Sequence, residues 1–354
     1  NTTIANKLLG EGREEYIAEI KATQALLRQQ FADRDRPDRW ITLEQARANR
    51  RMKSEEDIVV PAKTGRFEYF GFPVTEAARY IDWNFFFPSW GLKGKYPEIL
   101  DSPEKGDEAR KLFDDAQEMI RRLADENLLT LNGVAAIYPA VSEGDDILIT
   151  DGEGKIHRLA QLRNQESGQE HNFCLSDYLC GAEAGRTDYV GAFTLTSGVG
   201  LTELIARYRS EGDEYNAIMA KFVADRLAEA FAEAMHHDIR HRLWGYEKEE
   251  LTLDDMLREK YQGVRVAFGY PACPDHSLKK DVFELLGVGA ETGMEISESY
   301  MIRPGESVCG LMFAGRTDKY FSVGKIDSHQ LADYARRRSM EPEEIRRLIS
   351  QHLR

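Results

Sequence analysis

Arg265-Val266-Ala267-Phe268-Gly269-Tyr270-Pro271-Ala272-Cys273-Pro274-Asp275-His276 sets a permanent cation, a glycine, two prolines, two aromatics, a thiol and an imidazole in twelve residues. Helical patterns at 253–259 and 278–286 flank it, so it reads as a loop. A loop of that content has little to offer a core, and rigid turns with convergent polar groups are where binding sites sit. Composition alone leaves two readings open, a binding loop or a plain connection. Arg265 offers a planar fork for a carboxylate. Ala267 and Gly269 leave room for a ligand to approach the backbone. Glu259, six residues upstream, and Tyr270 add an acid and a hydroxyl. These groups suggest a small ligand that is zwitterionic and partly aromatic.

Outward from the loop, strands come mostly as hairpins with helices between them in no strict alternation. Residues 134–141 and 147–150 flank Ser142-Glu143-Gly144-Asp145, a hairpin signal. Residues 188–194 form a further strand, and 308–313 with 320–326 a second hairpin. Helices are expected at 11–31, after a Thr42 cap, from Asp101-Ser102 onward, at 214–240, 328–337 and 342–353. The helix over 214–240 places Ile218, Met219, Phe222, Leu227, Ala230, Phe231 and Ala234 on its inner stripe, with Glu229 on or beside that face. The pattern predicts an α+β fold, a bent antiparallel sheet with inserted and flanking helices. There is no glycine-rich strand-to-helix turn, which leaves a Rossmann nucleotide fold without support.

At 354 residues the chain can hold a large core with an appendage. A net charge of −14 argues against nonspecific nucleic-acid binding, which needs surplus lysine and arginine. No apolar run is long enough to span a membrane, and the first residues lack the basic start and apolar block of a signal peptide. Four scattered cysteines are too few for a disulfide framework, so a reducing cytoplasm is the expected compartment. The chain begins at Asn1, which suggests a piece of a longer protein. Residues 1–40, a charged helix followed by a proline-interrupted stretch at 33–39, read as a linker or as an arm packed on its own domain.

Standard chemistries find little footing. No glycine run ends in Gly-Lys-Ser or Gly-Lys-Thr. Cys273 and His276 form one half of a zinc pattern without the other half. His237 and His241 share a helix face, but no third ligand stands near them in sequence. None of Cys174, Cys180, Cys273 and Cys309 has a nucleophile's local signature. Asp82 lies in Tyr80–Trp90, among six aromatics within eleven residues. It is a helix cap, or a carboxylate either exposed at a rim or buried with partners, since an unpaired buried one would be costly. The expectation is no metal and no catalytic acid, base or nucleophile.

Residues 261–276, Tyr-Gln-Gly-Val-Arg-Val-Ala-Phe-Gly-Tyr-Pro-Ala-Cys-Pro-Asp-His, closely resemble the signature loop of the activation domain of cobalamin-dependent methionine synthase. Tyr80-Ile81-Asp82-Trp83 with Lys95-Tyr96-Pro97, the helical run 225–233, and Lys319-Tyr320-Phe321 resemble other segments of that family, in the same order. The likeness runs over residues 40–340. It implies an S-adenosylmethionine-binding domain at 41–354, preceded at 1–40 by the tail of a cobalamin-binding domain. It maps ligand contacts onto Asp82, Arg265, the Ala267 backbone, Tyr320 and Phe321, and less directly onto Glu229 and Tyr270. Glu259 has no support from the family pattern and drops out.

The implied function is reductive methylation of inactive cob(II)alamin back to methylcobalamin, within homocysteine-to-methionine methyl transfer. The implied partners are the cobalamin-binding domain and flavodoxin or a similar reductase. The fragment alone is not expected to make methionine. Arg336-Arg337-Arg338 is the candidate basic patch for an acidic reductase. A module that docks on a corrinoid protein without methyl transfer, and an independent small-molecule methyltransferase, are the rival readings. One departure stands out. Val266 and Phe268 replace two prolines of the family loop, which predicts a less preorganised backbone around Ala267.

Overall fold

In the strand Thr130–Glu143, Leu131, Ala135 and Ile137 are buried in one core while Val134, Ala136 and Tyr138 are buried in another. Alternate residues of a strand face opposite ways, so this strand must have layers packed on both faces. The structure, a computed structural model, describes residues 8–9, 13–34, 39–316 and 318–354. Its strands are β1 (Gly65–Phe72), β2 (Thr130–Glu143), β3 (Asp146–Thr150), β4 (Ile156–Ala160), β5 (Asp188–Val199), β6 (Val264–Ala267), β7 (Glu295–Ile296), β8 (Ile302–Arg303) and β9 (Ser307–Phe313). Seven of them form a sheet in the order β4-β3-β2-β5-β9-β6, with β1 also on β2. Every pairing is antiparallel, which bears out the α+β reading.

The helices are α1 (Arg13–Arg34), α2 (Leu43–Ala48), α3 (Val74–Ala78), α4 (Phe86–Ser89), α5 (Gly106–Asp125), α6 (Leu201–Ser210), α7 (Glu214–Asp238), α8 (Leu253–Leu257), α9 (Leu278–Leu286), α10 (Ser328–Arg338) and α11 (Pro342–Leu348). Helices α3, α5, α6 and α7 bury their apolar sides against one face of the sheet. Helix α9 covers the other face. Helices α10 and α11 close a smaller third core with Val323 and Ile326. Asp213 caps α7 by accepting from the Asn216 amide at 3.0 Å, and the helix runs on into a π-helical turn, Ile239–Leu243. Thr42 caps α2 in a reciprocal box with Gln45, as expected. The hairpin at 144–145 also forms, with Glu143 opposite Asp146.

Several expectations need correcting. Residues 320–326 are not a strand, and β9 has no hairpin with them. Both edges of β9 are already taken, by β5 and β6. The segment instead crosses the loop, where the Val323 amide donates to the Pro271 carbonyl at 2.9 Å. Helix α5 starts at Gly106 rather than at 101, because Pro103 keeps Ser102 extended. Ile218 is 38% exposed, on the outer side of α7. Arg265, Val266 and Ala267 belong to β6, not to a loop.

The expected basic patch is not a free surface. Arg337 binds Asp146, Asp333 and the Gln161 carbonyl, and Arg338 binds Asp281 and Ser277. Both side chains are about one-tenth exposed, and the exposed Arg336 pairs with Asp333. These arginines hold α10 to the body of the domain. Residues 35–38 of the charged stretch before Arg39 lie outside the described residues.

Candidate functional site

Strand β6 alternates. Val264 and Val266 enter the core under α9, so Arg265 and Ala267 leave from the opposite face, toward α7. There the Arg265 Nη2 donates to Glu233 Oε2 at 2.8 Å. Glu233 lies one helical turn after Glu229, which puts both carboxylates over the strand. Burial pulls the Arg265 pKa down, but Glu233, Tyr261, Glu229 and Glu259 outweigh it and hold the guanidinium charged. Its Nε and Nη1 have no bonded partner among the described residues, and the side chain is 17% exposed.

Two adjoining cavities open around this arginine, about 430 and 410 Å³ in volume. Arg265, Glu229, Glu259 and Tyr270 line both. The first is completed by Tyr80, Asp82, Phe85, Arg226, Glu233 and Tyr261 among others, the second by Ala267, Pro271, Val308, Phe193 and Tyr320. Of the expected residues, Asp82, Glu229, Arg265, Ala267, Tyr270 and Tyr320 are therefore brought together. Phe321 lines neither cavity. It packs on Phe173 and Tyr178, with ring centres 5.7 and 6.0 Å away, while Tyr320 is 42% exposed at the mouth.

Asp82 is half-buried, and the cap reading holds. Its Oδ1 caps a 3₁₀ turn, Trp83–Phe85, by accepting from the Asn84 amide and Nδ2, each at 2.9 Å. The same residue forms part of the cavity wall. Glu229 is an exposed rim carboxylate that also lines both cavities.

The loop after β6 is set by Gly269. Its φ of +93° suits glycine, and a Cβ there would sit 2.0 Å from the His276 ring. Gly269 thus serves a close turn against His276, not a ligand's approach to its backbone. The turn is closed by the Gly269 amide on the Cys273 carbonyl at 2.8 Å and the Cys273 amide on the Tyr270 carbonyl at 2.9 Å. It projects Tyr270, 54% exposed, over the cavity. Cys273 is buried with its Sγ toward Gln161 Oε1 at 3.4 Å, and His276 stands beside Lys279 Nζ at 2.9 Å.

Val266 and Phe268 do not loosen this segment. Both are buried in the core under α9, at 1% and 3% exposure. The Phe268 amide donates to the Cys309 carbonyl at 3.2 Å, a bond proline cannot make.

Sequence reasoning missed Glu233, Arg226, Tyr80 and Tyr261, and it discarded Glu259. Glu233 carried a signal, its four-residue spacing from Glu229. Glu259 sits just past α8 with φ +53° and faces both cavities. Behind the wall, buried Arg240 binds Glu247 and His236, each at 2.8 Å, and lies 4.1 Å from the Tyr261 ring centre. Burial, with Arg240 and Arg265 nearby, holds His236 well below the usual histidine range, so it accepts as a neutral ring.

The walls set four carboxylates, Asp82, Glu229, Glu233 and Glu259, against two guanidiniums, Arg226 and Arg265. Tyr80, Phe85, Tyr261, Tyr270 and Tyr320 supply aromatic faces. Among the described residues, neither wall includes a serine, threonine, cysteine, lysine or histidine. Such a site selects a ligand with net positive charge, one anionic group and a flat apolar part.

Residues 73–339 match the family model of the vitamin B12 dependent methionine synthase activation domain. The fold also matches the crystal structure of the MetH reactivation domain bound to AdoHcy, with a TM-score of 0.85 and 40% sequence identity. That match covers 89% of this chain and 98% of the other. The chain belongs to the activation-domain family of vitamin B12 dependent methionine synthase.

Proposed function

We propose that the paired cavities bind S-adenosylmethionine and that the domain presents its methyl group to a cobalamin carried by a partner domain, returning inactive cob(II)alamin to methylcobalamin. The observation that carries this reading is Arg265, with two unused guanidinium nitrogens in a cavity rich in carboxylates and aromatics. S-adenosylmethionine has a sulfonium, an ammonium, one carboxylate and an adenine, so each class of wall group has a counterpart. The match to an AdoHcy-bound domain supports the same assignment, since AdoHcy is that ligand after loss of its methyl.

Arg265 would take the ligand carboxylate through an edge of the guanidinium that Glu233 leaves open, at Nη1 or at Nε, while Glu233 holds Nη2 in place. Asp82 takes the ammonium or a ribose hydroxyl. Tyr270 or Tyr320 packs on the adenine or beside the sulfonium, where a ring face attracts the cation. When bound, cobalamin supplies the metal that accepts the methyl. The methyl would leave the sulfonium for that metal with S-adenosylhomocysteine as the leaving group, and a reductase such as flavodoxin would supply the electron. This chain's contribution is orientation, which can lower a barrier substantially without any acid or base. Residues 1–40 would be the connection to the cobalamin-binding domain.

Calorimetric titration tests the ligand. One-to-one saturable binding of S-adenosylmethionine is expected, tighter than S-adenosylhomocysteine because the acidic wall favours the sulfonium. No binding would overturn the assignment. Methyl-labelled S-adenosylmethionine, supplied with a reductant, should transfer label when a cobalamin-binding domain is added. Transfer without any corrinoid would favour an independent methyltransferase.

A further inference from the structure

We propose a second ligand site at the C-terminal end of α7, a divalent transition-metal site of the zinc class made by His237, His241 and Glu250. One donor atom from each of the three lies within 4.8 Å of the others. None of them lines the cavities around Arg265. In sequence the histidine pair lacked a third ligand. The fold supplies it, because the chain after the π-helical turn Ile239–Leu243 doubles back and sets Glu250 beside His237, with Oε2 3.6 Å from Nε2.

Three observations point to a metal. The two imidazoles share a helix face and lie with ring centres 4.4 Å apart, close enough for both to reach one ion. The Tyr80 hydroxyl stands 3.4 Å from His237 Nδ1, the kind of outer contact that orients a ligating ring and leaves its Nε2 for the metal. His241 Nε2 is buried without a hydrogen bond, although Glu247 Oε2 is 3.1 Å away, so that contact is misaligned. A buried nitrogen left unsatisfied is costly, and coordination or realignment around a metal would relieve it.

The charges nearby permit a cation. Arg240 opposes it, and Glu247 and His236 already hold its guanidinium. Bound zinc keeps nitrogen and oxygen donors about 2.0–2.2 Å from the metal, so the three donors must draw closer together than they stand. Glu250, 83% exposed, can make most of that movement by changing rotamer. Two imidazoles with one carboxylate suit zinc, cobalt or nickel, whereas magnesium and calcium take oxygen ligands.

The test uses chelator-stripped protein titrated with Zn²⁺ alone in competition with a zinc dye, and Co²⁺ absorption as a second readout. The wild type should take one equivalent that both His241→Asn and Glu250→Gln bind at least tenfold more weakly. The visible Co²⁺ bands should fade in both variants. Glu250 is exposed, so its variant folds whatever the histidine variant does. No uptake by the wild type, or either variant binding like the wild type, would overturn the site.

Discussion

Arg163 and Arg265 are both partly or wholly buried arginines that meet a carboxylate, and they do opposite jobs. Arg163 is 0% exposed and leaves nothing unspent. Its Nε donates to Asp145 at 2.8 Å, its Nη1 to Asp177 and the Asn172 carbonyl at 2.6 and 2.7 Å, and its Nη2 to Asp177 at 2.7 Å, with Asp145 Oδ1 2.6 Å from Nη2 as well. Arg265 gives one nitrogen to Glu233 and turns the rest to a cavity. A guanidinium with every donor satisfied is structural. One with donors left over beside a cavity is a binding group. Residue type does not separate the two roles, but the count of used donors does.

Substitutions can break this comparison. Arg163→Ala strands Asp145 and Asp177 without their buried cation and should cost about 3–5 kcal/mol of stability, read as a lower denaturant midpoint. Ligand affinity of the protein that remains folded should be unchanged. Arg265→Ala should reverse the balance. Affinity for S-adenosylmethionine falls at least about 30-fold, or about 2 kcal/mol, with a smaller loss of stability than at Arg163. Equal stability losses at the two arginines would erase the distinction.

The same contrast holds on a smaller scale between adjacent residues. Phe321→Ala removes a ring packed between two cores and should lower stability by about 1–3 kcal/mol, with ligand affinity kept. Tyr320→Ala should leave the melting temperature nearly unchanged and weaken the ligand by about 1 kcal/mol, from the lost aromatic contact.

The structural side also carries a pH dependence. Burial pushes Asp333 up, but Arg337, Arg336 and Arg47 outweigh it and hold it at about 2. A carboxylate held low adds stability that is fully present above its unfolded pKa of about 3.9 and is lost as pH falls through about 2. Wild type should therefore melt above Asp333→Asn at neutral pH, and the gap should close between about pH 4 and 2. A gap unchanged by acid would show that these ion pairs do not hold α10.

How much of this was legible in the sequence follows the same divide. Strand periodicity, the 144–145 hairpin and the Thr42 cap are local, and local pattern located them. Sheet order is not local, so nothing in 320–326 could show that both edges of β9 were already occupied. Tyr320 and Phe321, both expected at the ligand, part company even without a strand, because each side chain finds its own environment. Glu233 was hidden by its place on the inner side of α7, where a carboxylate is unexpected until its arginine arrives from β6. Glu259 was seen and set aside, since no pattern tells that a residue with φ +53° turns into a cavity. Val266 and Phe268 misled in the other direction. Lost prolines suggested a loose loop, whereas strand pairing and burial supply the rigidity.

The central claim is that the unused nitrogens of Arg265 receive the carboxylate of S-adenosylmethionine. A thermodynamic cycle addresses it directly, with S-adenosylmethionine and its decarboxylated analogue each titrated into wild type and Arg265→Ala. Loss of the carboxylate should weaken binding to the wild type at least about 30-fold and make almost no difference to the variant. A carboxylate worth as much to Arg265→Ala as to the wild type would contradict the claim.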